Sequence, residues 1–282
     1  MRHRKWRWKL TTHLESSEVY YGRDASYEYM SASQLKSFIG TPGIHACEEK
    51  AVAELAGDYV RPYSEALTIG SYVDVMLTGT EDEQREFFDE HPEMISSRGP
   101  TKGQLKAQYK AVDEMVRRAF IDRENGGIFM RALDGEHQRV LTGEICGHKF
   151  KGRLDCLGEG FITDLKTVEN VNKRYYRDGY YDFISWWGYD LQGAIYQELV
   201  YQNTGKRLPF FIAALSKQTP CDIDLIQVPQ ERLDEAMGRI TKQALDRIEM
   251  LKTGEVAPKR CGTCDWCRMT KVIRKPRILE VV

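Results

Sequence analysis

Three short segments decide the fold of this chain: VLTGEIC (residues 140–146), FKGRLDCL (residues 150–157) and FITDLKTV (residues 161–168). They carry the apolar, β-branched and aromatic residues that are typical of strands, and glycines lie between them. Apolar runs of this length, bounded by glycine-containing turns, predict consecutive antiparallel strands. We therefore expect a β-meander over residues 140–168.

Helical spacing of apolar residues surrounds this meander. Before it, the spacing predicts helices within residues 31–60, interrupted at Thr41-Pro42-Gly43, and at residues 65–79 and 105–120. After it, the spacing predicts a long amphipathic helix, strands at 208–216 and 223–228, and one final helix over 233–251. The order predicts an α/β core with a helical N-terminal part.

Composition excludes some classes of protein and permits many. The 282 residues include 41 Lys and Arg against 42 Asp and Glu, so net charge gives no sign of a nucleic-acid binder, although a local basic groove would not need one. An apolar run long enough to cross a bilayer is absent from the sequence, and the basic residues 1–9 are not followed by a signal-peptide core. We expect a cytoplasmic protein whose seven cysteines are reduced thiols or metal ligands.

Acidic residues and one lysine recur along the meander. Residues i and i+2 of a strand point to the same face, so Asp164 and Lys166 project together. Asp155 on the neighbouring strand can face the same way, and Glu144 on the preceding strand lies within plausible reach. Aspartate and lysine at this spacing also occur on exposed strands, but the apolar Phe161-Ile-Thr before Asp164 indicates burial, which an unpaired charge would make costly.

Hydrolysis of a phosphodiester needs hard oxygen ligands for Mg²⁺ or Mn²⁺ and an activated water. We predict that Asp155 and Asp164 are metal ligands, with the backbone carbonyl of Leu165 as a third. Glu144 would complete a second metal site. Lys166 would orient or activate the attacking water and stabilise negative charge.

Three motifs resemble, in order and spacing, the G-x-x-D, D-x-K-T and Q-x-x-x-Y motifs of the RecB-like branch of PD-(D/E)XK nucleases. They are Gly152-Arg-Leu-Asp155, Asp164-Leu-Lys166-Thr167 and Gln192-Gly-Ala-Ile-Tyr196. Residues 31–36 (SASQLK) and 69–74 (IGSYVD) are similar to segments of phage-type RecE-like exonucleases, so the resemblance covers about residues 30–270.

This resemblance implies a restriction-endonuclease-like core with a mixed central sheet flanked by helices. It also implies two-metal hydrolysis of double-stranded DNA from its ends, for recombination, in partnership with a single-strand annealing protein. Homo-oligomers occur among such exonucleases, and a phage origin would place the protein in the bacterial host cytoplasm. Gln192 and Tyr196 match residues that position water or phosphate, and alternatively they form a polar and aromatic stripe on a half-buried helix. Many family members have a histidine where this chain has Asp74. Asp74 could bind a second metal or merely cap local structure, so we take it as an auxiliary candidate for a metal ligand.

A cysteine-rich tail follows the core. Cys261, Cys264 and Cys267 have the C-x2-C-x2-C spacing that lets three thiols meet at one ion or cluster. Some RecB-like nucleases hold a [4Fe–4S] cluster with one N-terminal and three C-terminal cysteines, and Cys47 could be the fourth ligand here. In this chain Thr41 stands where that cysteine usually lies, and the tail spacing is shorter than the family's. A [4Fe–4S] cluster, Zn²⁺ and free thiols all remain open.

The domain boundaries follow from these patterns: an N-terminal extension (1–30) precedes a single nuclease domain (31–282), divided into a helical part (31–135), a catalytic core (136–255) and the tail (256–282). Basic residues near loops, Arg98 and Lys102, and those after the catalytic strand, Lys173 and Arg174, could bind DNA phosphates or simply be solvated. Two other functions stay open: an endonuclease or repair nuclease of the same fold, and a catalytically silent DNA-binding scaffold with a Cys-bound metal.

Overall fold

A five-stranded mixed sheet forms the centre of the protein. The computed structural model describes residues 14–276, with the backbone alone at residues 107, 108 and 111, so the basic residues 1–9 and the last tail residues, 277–282, lie outside the described residues. The described residues form seven strands: β1 (Glu136–Ile145), β2 (His148–Leu157), β3 (Ile162–Val168), β4 (Tyr175–Tyr176), β5 (Tyr180–Tyr181), β6 (Phe210–Ser216) and β7 (Ile223–Gln227).

The strand order in the main sheet is β1-β2-β3-β6-β7, and β4 pairs with β5 in a separate hairpin. β1 and β2 are antiparallel, as are β2 and β3, which confirms the predicted meander. β3 and β6 are parallel, and nearly all of their residues are buried. A parallel pair needs a long crossover connection, here the helical segment after β5. The sheet is therefore mixed, with β3 in the middle.

Strands β2 and β3 separate soon after they meet. They pair only at Cys156 with Thr163 and at Leu157 with Ile162. Farther along β2, Met30 takes the vacated edge: its N–H donates to the Lys149 carbonyl (2.8 Å), and its carbonyl accepts from Lys151 N–H (2.9 Å). The result is a wedge-shaped opening in the sheet between Asp155 and β3.

Helices cover both faces of the sheet. The described residues form twelve α-helices: α1 (Ser17–Tyr21), α2 (Arg23–Glu28), α3 (Ala32–Ile39), α4 (Glu48–Ala56), α5 (Glu65–Thr78), α6 (Glu81–Glu90), α7 (Ala107–Glu124), α8 (Phe183–Trp187), α9 (Tyr189–Thr204), α10 (Gln230–Gly238), α11 (Lys242–Thr253) and α12 (Asp265–Met269). None of them is long and apolar enough to cross a membrane.

Two hydrophobic cores fix the helices that carry the site. On one face, Leu191, Ile195 and Leu199 of α9 belong to the same buried cluster as Phe150 and Leu154 of β2. Gly152 permits this approach, because a Cβ at that position would lie 3.0 Å from the Tyr196 ring. On the other face, α5 and α7 pack over β3, with Leu165 buried among their side chains. The opening between β2 and β3 therefore lies between α5 and α9.

The prediction of one final helix over residues 233–251 is wrong. Two helices, α10 and α11, share that apolar spacing and are separated at residues 239–241. α10 ends at Gly238, and the Thr241 side chain accepts the Ala244 N–H (3.2 Å), which starts a new helix. The apolar spacing continued across the break because α10 and α11 both bury apolar side chains in the same core.

Candidate active site

The structure brings Asp155, Asp164 and Lys166 together at the opening between β2 and β3. Lys166 Nζ lies 2.7 Å from Asp164 Oδ2 and 3.6 Å from Asp155 Oδ2. Asp164 is fully buried, whereas the side chains of Asp155 and Lys166 are partly accessible. Solvent therefore reaches the group at Asp155 and Lys166, but not at Asp164.

The separation of the strands is what turns Asp155 toward this group. Its Oδ2 accepts the Leu165 N–H (2.9 Å), a backbone donor of β3 that β2 does not pair with at this point. The Leu165 carbonyl oxygen accepts from Lys166 Nζ (3.1 Å). The predicted carbonyl ligand therefore lies in the same group as the two aspartates.

Asp74 lies on α5, which packs on the face of the sheet opposite to α9. Its Oδ2 accepts a hydrogen bond from Gln138 Nε2 (2.8 Å). Burial and then the negative charge of Asp155 raise the pKa of Asp74 to about 6. Because a neighbouring carboxylate acts on its pKa, Asp74 lies within electrostatic reach of Asp155.

Burial controls the charge of the central pair. It raises the pKa of Asp164 to about 7. Burial alone would lower the pKa of Lys166, but the carboxylates of Asp164 and Asp155 outweigh it and raise that pKa above its ordinary value. Lys166 is therefore a permanent cation, and a further positive charge would favour the ionised form of Asp164.

The oxygen donors fit a divalent cation of the Mg²⁺ or Mn²⁺ type. Although Lys166 is close, no hydrogen bond of normal geometry reaches Asp164 Oδ2 from the described residues. A fully buried carboxylate oxygen without such a bond is costly, and coordination of a cation would remove that cost. The ligands would be Asp164 Oδ2, Asp155 and the Leu165 carbonyl, all hard oxygen donors, and Asp74 would add negative charge from within electrostatic reach.

Gln192 and Tyr196, one turn apart on α9, support this group from behind. Gln192 Nε2 donates to Asp164 Oδ1 (2.8 Å) and lies 3.3 Å from the Tyr196 hydroxyl. The Tyr196 hydroxyl in turn donates to the Arg153 carbonyl (2.9 Å) of β2. The pair therefore ties Asp164 to the strand that carries Asp155.

Two further residues, Lys36 and Tyr189, were missed by the sequence analysis. Lys36 is 7% exposed, and its Nζ donates to Gln192 Oε1 and to the Trp187 carbonyl, both at 3.3 Å. The Tyr189 ring lies 5.5 Å from Lys36 Nζ and 5.2 Å from Lys166 Nζ. Burial and then the charge of Lys166 lower the pKa of Lys36 to about 8. The available signal was a lysine four residues after Ala32, on the apolar face of α3.

Glu144 does not belong to this group, contrary to the prediction. On β1, Glu144 pairs with Lys149 of β2. Asp155 lies opposite Gln138, because His137 pairs with Cys156 and Arg139 pairs with Leu154. Six residues of strand separate Glu144 from Gln138, or about 20 Å at roughly 3.3 Å per residue. Glu144 instead lines a cleft with Gln197, Glu198 and Arg207. The prediction failed because it assumed that Glu144 and Asp155, on neighbouring strands, would lie side by side. The register of β1 against β2, which decides this, could not be read from the sequence.

The basic residues predicted to bind DNA lie on two separate segments. Lys173 and Arg174 lie between β3 and the β4–β5 hairpin, where Lys173 pairs with Glu169 and Arg174 is exposed. Arg98 and Lys102 are exposed on the loop between α6 and α7. No hydrogen bond or ion pair among the described residues joins either segment to the carboxylate group.

Four cysteines form a second candidate metal centre. The sulphurs of Cys47, Cys261, Cys264 and Cys267 all lie within 4.8 Å of one another. Cys47 precedes α4, and the other three lie at or beside α12, so the group joins distant parts of the chain. All seven cysteines are free thiols.

Comparisons with known proteins agree with this architecture. A family described as "PDDEXK-like domain of unknown function (DUF3799)" matches residues 31–270. The crystal structure of a presumed exonuclease from Eubacterium rectale is 40% identical, covers 93% of this chain and 96% of its own, and superimposes with a TM-score of 0.84. A structure of SSO0001, with 12% identity over 80% of this chain and 94% of its own, has a TM-score of only 0.28 and carries no argument. No curated protein matches the chain. The family match over most of the chain, with a 40% identical structure, shows that the protein belongs to the PDDEXK-like nuclease family.

Proposed function

We propose that this protein is an Mg²⁺- or Mn²⁺-dependent deoxyribonuclease that degrades linear double-stranded DNA from its ends. The observation that carries the proposal is the meeting of Asp155, Asp164 and Lys166 at the opening between β2 and β3, with Asp74 within electrostatic reach. The presumed exonuclease from Eubacterium rectale, similar along nearly its whole length, supports the choice of an exonuclease.

The cation would polarise the scissile phosphate and lower the pKa of a bound water. Lys166, held protonated by its two carboxylates, lies where it can orient that water and neutralise charge that develops on the phosphate. Gln192 holds Asp164 Oδ1, which fixes the orientation of the carboxylate and leaves Oδ2 to face Lys166 and a bound cation. Asp155 would supply a second carboxylate to that cation.

Digestion of linear and closed circular duplex DNA in Mg²⁺ tests this proposal. We expect consumption of the linear form with resistance of the circle, and no activity without a divalent cation. Equal digestion of both forms would favour an endonuclease or repair nuclease of the same fold. No digestion of either form, together with retained DNA binding, would indicate the silent scaffold. The annealing protein and the homo-oligomer implied by the resemblance stay predictions.

We also propose that DNA approaches past the β4–β5 hairpin, which follows the catalytic strand. Tyr176 and Tyr180 at its tip are 68% and 77% exposed and lie edge to face, 5.2 Å apart. Tyr175 at its base stacks on Trp186 at 4.8 Å, which fixes the hairpin to α8. Exposed tyrosines can stack on frayed bases, and basic residues beside them can pair with phosphates.

Replacing Lys173 and Arg174 by alanine should weaken DNA binding and reduce its dependence on salt while the fold is retained. Each lost phosphate contact lowers the slope of log K against log salt by about 0.9. Binding measured at several salt concentrations tests this. The matched control is the double variant Arg98→Ala plus Lys102→Ala, which removes the same charge from the other segment. An unchanged slope in the first variant would contradict the proposed path.

A further inference from the structure

The sulphurs of the four-cysteine group lie closer together than the ligands of an iron–sulfur cluster would. Cys267 Sγ lies 3.7 Å from Cys47 Sγ and 3.8 Å from Cys261 Sγ. These distances are far longer than the roughly 2.05 Å of a disulfide. They match the edge of a tetrahedron of sulphurs around one ion, which is about 3.8 Å for a Zn–S bond of about 2.3 Å.

A [4Fe–4S] cluster does not fit this arrangement. Its four thiolates each bind a different iron, so an eight-atom cage must lie between them. Sulphurs 3.7 to 3.8 Å apart are in van der Waals contact, and the space among them admits one ion. The cluster that the resemblance suggested is therefore not supported by this set of residues.

Backbone N–H groups point at two of the four sulphurs. The N–H of Cys264 donates to Cys261 Sγ (3.3 Å), and the N–H of Cys267 donates to Cys264 Sγ (3.4 Å). These donors, at the start of α12, offset negative charge on the sulphurs. Cys47 and Cys267 are buried, so an ion bound there would be shielded from water.

Ion pairs hold the two halves of the group in position. Arg260 pairs with Glu49 (2.7 Å), and Lys50 pairs with Asp265 (2.7 Å), so one neighbour of Cys261 and one neighbour of Cys264 are fixed to α4. The Lys259 N–H also donates to Glu48 (2.8 Å). The geometry of the sulphurs is thus set by contacts that do not depend on a metal.

We propose that Cys47, Cys261, Cys264 and Cys267 bind a single zinc ion, which fastens the C-terminal segment to the start of α4. Four thiolates close the coordination sphere, as in structural zinc sites, and leave no position for substrate. Soft sulphur ligands in a tetrahedron select Zn²⁺ over the Mg²⁺ or Mn²⁺ proposed for the carboxylate group. The site is therefore structural and separate from catalysis.

Metal analysis of the full chain tests this inference without reference to nuclease activity. The protein is expressed with both iron and zinc supplied and purified without oxygen. We expect one zinc per chain, little iron, and no visible absorption of an iron–sulfur chromophore. Replacement of zinc by Co²⁺ should give the intense visible bands of a tetrahedral thiolate site. Iron with acid-labile sulfide, or a protein that binds no zinc, would overturn the proposal.

Cysteine variants locate the ion. Cys47→Ser should weaken zinc binding by more than the roughly 100-fold that loss of an outer hydrogen bond can cost. The matched controls, Cys146→Ser and Cys221→Ser, change thiols outside the group and should keep one zinc per chain. Should Cys47→Ser fail to fold, the Co²⁺ spectrum of the unchanged protein still counts the thiolates. Full zinc affinity in a folded Cys47→Ser would exclude α4 from the site.

Discussion

The carboxylate group and the cysteine group both unite residues from distant segments, but their surroundings are opposite. At the carboxylate group Lys166 lies among the acids, and a fully buried oxygen of Asp164 accepts no hydrogen bond of normal geometry from the described residues. At the cysteine group the sulphurs contact one another and accept backbone N–H bonds. The first arrangement keeps capacity for a cation and a phosphate, whereas the second can be completed by one ion. An open site suits catalysis, and a closed site suits structure.

The largest effect expected from this difference is on catalysis. Asp164→Asn should lower kcat about 1,000-fold or more, because a metal ligand and the partner of Lys166 are lost together. The melting temperature should fall by only a few degrees, because Lys166 loses its buried partner but keeps Asp155 at 3.6 Å and some contact with solvent. Cleavage of end-labelled duplex and thermal unfolding measure the two effects. Activity within tenfold of the original would remove Asp164 from the mechanism.

The cysteine group should show the reverse pattern. Cys264→Ser should lower the melting temperature by about 10 °C, because loss of a structural metal removes several kcal/mol from a chain of this size. Activity per folded molecule, measured well below that temperature, should stay within about twofold. Cys221→Ser is the control for loss of a thiol. A large fall in kcat without a fall in stability would show that the two regions are coupled.

The sequence revealed the parts of the site that are local and concealed those set by register. Asp164 and Lys166 share a strand face by period alone, and Asp155 lies only nine residues earlier, across a predicted turn. Glu144 was misassigned because the position opposite Asp155 on β1 depends on pairing, which places Gln138 there. Lys36 was invisible as a site residue because its contact with Gln192 spans 156 positions.

For the fold as well, the sequence predicted the local elements but not the contacts between distant segments. The meander followed from alternating glycines and apolar segments, and β6 and β7 were anticipated within a few residues. The early separation of β2 and β3 was not, because it depends on Met30 occupying the strand edge. Cys47 was a candidate only through the resemblance, since it lies 214 residues before Cys261 and its approach to the tail is set by tertiary packing.

Lys36 offers a smaller effect that sharpens the description of the open site. Its Nζ faces Gln192 Oε1, so the other end of the amide, Nε2, faces Asp164. If the Gln192 amide were flipped, its Nε2 donor would face the Lys36 ammonium and its Oε1 acceptor would face the Asp164 carboxylate. Lys36→Met should therefore lower kcat about 10- to 100-fold with a smaller change in KM, because Asp164 loses its fixed orientation.

The matched control is Lys151→Met. Lys151 is another buried lysine, held by the Tyr20 carbonyl and the Tyr20 ring, and among the described residues its ammonium group makes no hydrogen bond or ion pair with the carboxylate group. It should lose stability without the selective fall in kcat. Lys36→Arg, which restores a donor, should recover part of the activity. Equal kinetic effects of the two methionine variants would reduce Lys36 to a packing residue.

The smallest effect is expected where prediction and structure disagree. Glu144→Gln should change kcat by less than about twofold, because Glu144 lies on β1 opposite Lys149, about 20 Å along the strand from the position facing Asp155. Asp74→Asn removes the same charge, but from a carboxylate whose pKa is raised by the charge of Asp155. It should lower kcat about tenfold and raise the Mg²⁺ concentration needed for half-maximal rate. Titration of both variants with Mg²⁺ makes the comparison. If Glu144→Gln alone shifted the metal dependence, β1 would have to pair with β2 in another register, and the opening between β2 and β3 would no longer define the site.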